Sequence, residues 1–170
     1  MDSKQTIKSV TFIIAGSLLG TFNSIGGGWA SSATAIIGYA FLFQGLKLLK
    51  DALDEQGQAG VKMLTIGAII GVVGFVIDLI PLIGFVARIV LLVAFIFELI
   101  GYLRLKKSET IGEIGQKGVQ LILIYMILVI AAVAIGFIPL AGTIVSSVLS
   151  IAGLVLLLLG WTKVQEGLVK

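Results

Sequence analysis

The chain contains no cysteine and no histidine. Disulfides, thiolate nucleophiles, imidazole bases and the common zinc and haem ligand sets are thereby excluded, and no catalytic, cofactor or metal site is expected. Charge is scarce as well, 12% of the 170 residues against about 25% in an ordinary soluble domain. What fills the sequence instead is apolar: 58% hydrophobic residues and a mean hydropathy of +1.16. No soluble fold of this size hides that much apolar surface, so the first partner expected is the lipid bilayer. The net charge of +3 is not read as a nucleic-acid patch, because the basic residues sit beside the ends of apolar stretches.

Six such stretches stand out, at roughly 7–24, 30–50, 61–80, 82–103, 118–138 and 140–161, each close to the ~20 residues that cross a bilayer core. At the first, Lys4 and Lys8 precede the apolar run 10–19, and the segment is read as a membrane helix, not as a cleaved secretory signal, since small residues of cleavage type come only well beyond that run. Uncharged turns join the stretches in pairs. One contains Gly26, Gly27 and Gly28, the second runs through Pro81 to Gly84, and the third through Pro139 to Gly142. Proline turns the preceding residue away from helix yet suits the first turn of the next one. The triple glycine breaks a helix through backbone freedom, and no Gly-Lys-Ser/Thr follows it to make a phosphate loop. The fold expected is an all-α integral membrane protein of about six transmembrane helices, arranged as three hairpins within one domain covering 1–170. The hairpin units are about 1–56, 57–114 and 115–170.

Displacing the chain by 58 residues superposes Gly57-Gln58-x-Gly60-Val61 on Gly115-Gln116-x-Gly118-Val119, and Ile80-Pro81-Leu82-x-Gly84 on Ile138-Pro139-Leu140-x-Gly142. The second and third hairpins are read as a tandem parallel repeat. The first shares with them chiefly a glycine followed by a large apolar residue, Gly45-Leu46 beside Gly101-Tyr102 and Gly160-Trp161. Lysine and arginine set the orientation. They cluster at the N-terminus, around Lys47 and Lys50, around Arg104 to Lys117 and in the tail, while the three turns have none. By the positive-inside rule the protein is a multi-pass protein of the cell membrane with both termini cytoplasmic.

Four charged residues fall inside or at the edge of spans: Lys62, Asp78, Arg88 and Glu98. Each costs ~2.5–3.5 kcal/mol near mid-membrane, so partners are expected. Counting from Pro81 suggests Asp78 with Arg88 and Lys62 with Glu98. Small residues spaced by whole turns, Gly16 with Gly20 and Gly67 with Gly71 and Gly74, mark close helix packing, within the chain or between subunits. Hydroxyls at Ser31, Ser32, Thr34, Thr143, Ser146, Ser147 and Ser150 either bond to helix carbonyls or line a polar path. The function expected is a structural, interaction or accessory subunit that associates with itself or with another membrane subunit. The alternative is a small channel or transporter with a path near Asp78, Arg88 and the serines of the sixth helix.

Overall fold

A computed structural model describes residues 3–23, 29–80, 83–136 and 141–169. These residues form six helices: α1 (Ser3–Asn23), α2 (Trp29–Lys50), α3 (Glu55–Asp78), α4 (Gly84–Leu105), α5 (Gly112–Gly136) and α6 (Ala141–Leu168). No strand occurs among the described residues. Four segments, within α3, α4, α5 and α6, are long and apolar enough to cross a membrane. The chain is a helical multi-pass membrane protein on that ground. Of the expected turn residues, Gly26, Gly27, Gly28, Pro81 and Pro139 lie outside the described residues, Gly84 opens α4 and Gly142 lies in the first turn of α6.

Several helices run further than the apolar stretches predict, and all the extra turns lie at one end of the bundle. α3 starts at Glu55, α4 continues to Leu105, α5 starts at Gly112 and α6 continues to Leu168. Those turns carry Gln58, Arg104, Glu113, Lys117 and Glu166. Hydropathy reports only the part of a helix that belongs in lipid, while the backbone hydrogen-bond ladder continues into the wet region. This end is called the basic end below, and the opposite one the turn end.

Each helix packs mainly on its neighbour in sequence, α1 on α2, α3 on α4 and α5 on α6, and lesser contacts of α2 with α3, α4 with α5 and α6 with α1 close the series into a ring. In lipid no hydrophobic effect drives helices together, so the seams rely on close backbone approach. In the α3/α4 seam, a Cβ added to Gly60 would lie 2.8 Å from the Gly101 carbonyl oxygen and 2.7 Å from the Leu105 nitrogen, and one on Gly101 would strike Leu64. In the α5/α6 seam, Gly118 meets the Gly160 carbonyl and the Val164 nitrogen, and Gly160 meets Ile122. In the α1/α2 seam, Gly45 meets the Ser9 carbonyl oxygen at 2.7 Å and Ile13 at 2.6 Å. Ser9, Gly60 and Gly118 thus occupy corresponding places, as do Gly45, Gly101 and Gly160.

The interior repeats the same correspondence. Val10, Val61 and Val119 follow Ser9, Gly60 and Gly118; Ile13, Leu64 and Ile122 come one turn later; Leu49, Leu105 and Val164 come from the opposing helices. All nine are buried and belong to one apolar cluster. Leu46 and Trp161 join it, and Tyr102 packs edge-on against Trp161 with ring centroids 6.1 Å apart. The cluster fills the centre of the ring at the basic end.

One aspartate ties the two connections of that end together. Asp54 caps α3, its Oδ1 accepting the Gly57 amide at 2.8 Å, while its Oδ2 accepts the Glu109 amide at 2.6 Å and the Thr110 amide at 3.3 Å. The Asp54 amide in turn donates to Thr110 Oγ1 at 3.0 Å. Burial raises the Asp54 carboxyl and the hydrogen bonds to its charged form lower it by more, leaving it below its ordinary value of 3.8. The corresponding position in the next pair is Gly112, the first residue of α5, where a φ of +59° needs a residue without a side-chain penalty.

Candidate functional site

The polar residues of the spans divide into an outward set and an inward one. Asp78, the last residue of α3, is exposed, as are Arg88 on α4 and Lys62 on α3. Among the described residues neither Asp78 and Arg88 nor Lys62 and Glu98 form an ion pair. Depth alone suggested those pairs, and facing direction undoes them. Lys62 is turned away from the seam that Gly60 and Gly67 make with α4, whereas Glu98 points into it. Asp78 and Arg88 lie within about 6 Å of their helix ends at 1.5 Å per residue, where a headgroup or water solvates them.

Of the seven hydroxyls, three have described side chains. Ser147 and Ser150 are exposed on α6 and Thr34 is half-buried on α2, each with an interaction of its own. Ser31, Ser32, Thr143 and Ser146 are helical, and their side chains lie outside the described residues. Elsewhere the hydroxyls bond back along their helices, Thr11 to the Ile7 carbonyl at 2.8 Å and Thr65 to the Val61 carbonyl at 2.9 Å. These bonds use the hydroxyl locally.

The packing glycines are spent inside the chain. A Cβ on Gly16 would lie 2.5 Å from the Gly38 carbonyl oxygen and 2.7 Å from the Leu42 nitrogen of α2, and one on Gly74 would lie 2.8 Å from Leu91 of α4. Gly20 continues the face of Gly16 along α1, and its surroundings lie outside the described residues. Gly67 and Gly71 have a further use, because they make room for polar side chains. Glu98 Cγ lies 2.8 Å from where a Gly67 Cβ would stand, and the Tyr39 hydroxyl lies 2.7 Å from that point on Gly71.

Around Glu98 the ring brings together all three tyrosines of the chain, Tyr39 from α2, Tyr102 from α4 and Tyr125 from α5. The Glu98 carboxylate lies within electrostatic reach of each. Tyr125 itself is seated against Gly153 of α6, its ring 2.9 Å from that glycine's Cβ position. Glu98 is about 10 Å from the end of α4 by helix rise, one to two turns inside the basic end. No hydrogen-bond donor or ion-pair partner reaches its carboxylate among the described residues.

Correspondence between the helix pairs separates the structural from the functional content of this site. The backbone contact of Gly67 with Ala94 and Glu98 repeats that of Gly16 with Gly38 and Leu42. In the α5/α6 pair the residue three before Gly160 is Leu157, as Glu98 is three before Gly101 and Leu42 three before Gly45. Two helix pairs thus fill this position with leucine, so the seam itself does not require a carboxylate. The tyrosines could have been singled out from sequence by one signal, that all three lie in apolar stretches and each in a different hairpin unit. Comparison with known protein families, curated proteins and solved structures finds no match.

Proposed function

We propose that the protein spans the membrane six times as three tandem hairpins of common origin, with the basic end in the cytoplasm. The repeated crossings at Ser9/Gly45, Gly60/Gly101 and Gly118/Gly160 support the third copy as well as the second. α1 and α2, of 21 and 22 residues, reach the length a span needs and pack on each other as the other pairs do. Ten of the eleven basic residues among the described residues lie toward the basic end or in the segments leading from it, Arg88 being the exception, which supports the cytoplasmic side for it.

Within that architecture the role proposed is a structural or interaction subunit, associating laterally with its own kind or with another membrane protein. The observation that carries it is the placement of the turn-end polar groups. Arg88, Ser147 and Ser150 are exposed on the helices, so none of them lines an interior path. The apolar cluster across the basic end speaks in the same direction, since an open polar path would have to cross it. The partner surface lies away from Gly16, Gly67, Gly71 and Gly74, which are occupied internally. Cysteines placed at Ser147 and Ser150 test this in native membranes by oxidative cross-linking. Dimers or a cross-linked second protein are expected, whereas monomer alone, together with a monomeric mass in mild detergent, would end the proposal.

A second reading, a small cation or proton transporter, is favoured by Glu98 alone. An intramembrane carboxylate without a charged or hydrogen-bonding partner among the described residues, at a position where leucine serves the other helix pairs, fits a site that takes up a positive charge. Proton and alkali-cation flux into liposomes holding the pure protein decides it. Flux that Glu98→Gln abolishes would establish transport, and none above empty liposomes under opposed gradients would remove it.

A further inference from the structure

A groove of about 570 Å³ at the basic end runs along α5 between the end of α4 and the last turns of α6. Three lysines from three elements line its mouth: Lys106 just past α4, Lys117 on α5 and Lys163 on α6. Its floor is apolar, made by Leu121, Ile124 and Ile127 among others, and no acidic side chain lines it. None of the three lysines makes an ion pair with a described residue. Along α5 the order is Lys117, Leu121, Ile124, Ile127, a stripe at whole-turn spacing that passes in about 15 Å from the wet end toward mid-membrane.

We infer that this groove is a binding site for an anionic phospholipid of the cytoplasmic leaflet, its phosphate held by Lys106, Lys117 and Lys163 and one acyl chain laid over Leu121, Ile124 and Ile127. Charge complementarity selects the anion, because three lysines without an ion-pair partner among the described residues line one groove at the wet end of the helices, the level at which lipid phosphates attract basic residues. The apolar floor selects the lipid over a soluble phosphate, which would leave the groove below the lysines uncovered. Gly118 lets Lys163 in, since a Cβ there would lie 2.8 Å from the Lys163 Cβ. The glycine crossing that joins α5 to α6 therefore also shapes the headgroup site.

The inference rests on the reading that the basic end faces the cytoplasmic leaflet, and its test is independent of that orientation. Thermal unfolding of the full chain in a mild non-ionic detergent is followed against added phosphatidylglycerol, phosphatidylcholine with the same acyl chains, and glycerol phosphate. Phosphatidylglycerol is expected to raise the midpoint in a saturable way, and the other two are not. At about fivefold per lysine, Lys117→Gln should raise the half-saturating concentration about fivefold and the triple Lys106→Gln/Lys117→Gln/Lys163→Gln variant about a hundredfold. Lys47→Gln/Lys50→Gln, outside the groove, should leave it unchanged. Lys117 is exposed, so its single variant folds even if the triple does not. Equal stabilisation by phosphatidylcholine, equal stabilisation by glycerol phosphate, or an unchanged half-saturation for Lys117→Gln would each overturn the lipid site. A basic end mapped to the outer face would overturn the orientation alone.

Discussion

The Asp54 carboxylate accepts the Glu109 amide at 2.6 Å across a separation of fifty-five residues, while capping the helix that starts beside it. One side chain therefore fixes both connections of the basic end, between α2 and α3 and between α4 and α5. Asp54→Ala should lower stability by about 2 kcal/mol, through loss of the cap and of the amide acceptor. Asp54→Asn, which keeps one oxygen, should lose less. Equal thermal midpoints for wild type and Asp54→Ala in detergent would show that the latch contributes nothing.

The same residue predicts a pH dependence. Its folded-state pKa is lowered below 3.8, so its contribution is present above the unfolded-state value and is lost as pH falls through the folded-state value. The stability gap between wild type and Asp54→Asn should be constant near neutrality and close in the acid range below 3.8. A gap that widens on acidification would contradict the hydrogen-bond account.

The glycine crossings make a prediction that sequence repeats alone do not. Gly60→Val and Gly118→Val push side-chain atoms into opposing backbone and should cost about 1–3 kcal/mol each. Ser9→Leu should cost a similar amount, because Ser9 holds the corresponding place and turns its hydroxyl back to the Thr6 carbonyl at 2.8 Å. A stable Ser9→Leu protein would separate the first hairpin from the other two.

Removing charge at Glu98 separates a structural carboxylate from a functional one. Glu98→Gln should leave the thermal midpoint unchanged or raise it, since no partner is stranded and a buried charge is relieved. A loss of about 3 kcal/mol or more, the cost of breaking a buried pair, would mean that the carboxylate has a structural partner.

The six helices were legible in the sequence because apolar length is a local signal. Gly45, Gly101 and Gly160 were visible as a shared glycine-hydrophobic pair, while their contacts with the entering helices are known only from packing. The place of Ser9 was hidden, because a serine carries no repeat signal and only packing reveals the close approach. Asp78 and Arg88 were placed within about 6 Å of each other in depth, without regard to face, and depth is the part that residue counting supplies. The meeting of Tyr39, Tyr102 and Tyr125 at Glu98 depends on ring closure by α2, α4 and α5, a long-range relation without a local signature. Helix ends at the basic side were underestimated for the opposite reason, since the helices outlast their hydrophobicity.

The central claim, three hairpins crossing the bilayer with the basic end inside, is tested most directly by side-specific labelling. The chain has no cysteine of its own, so single cysteines at Leu79, Ile83, Glu109 and Thr110, all exposed, can be probed with a membrane-impermeant thiol reagent. In intact cells the account predicts labelling at Leu79 and Ile83 and protection at Glu109 and Thr110 until the membrane is opened. Labelling of Glu109 or Thr110 in intact cells, with Leu79 and Ile83 protected, would contradict it.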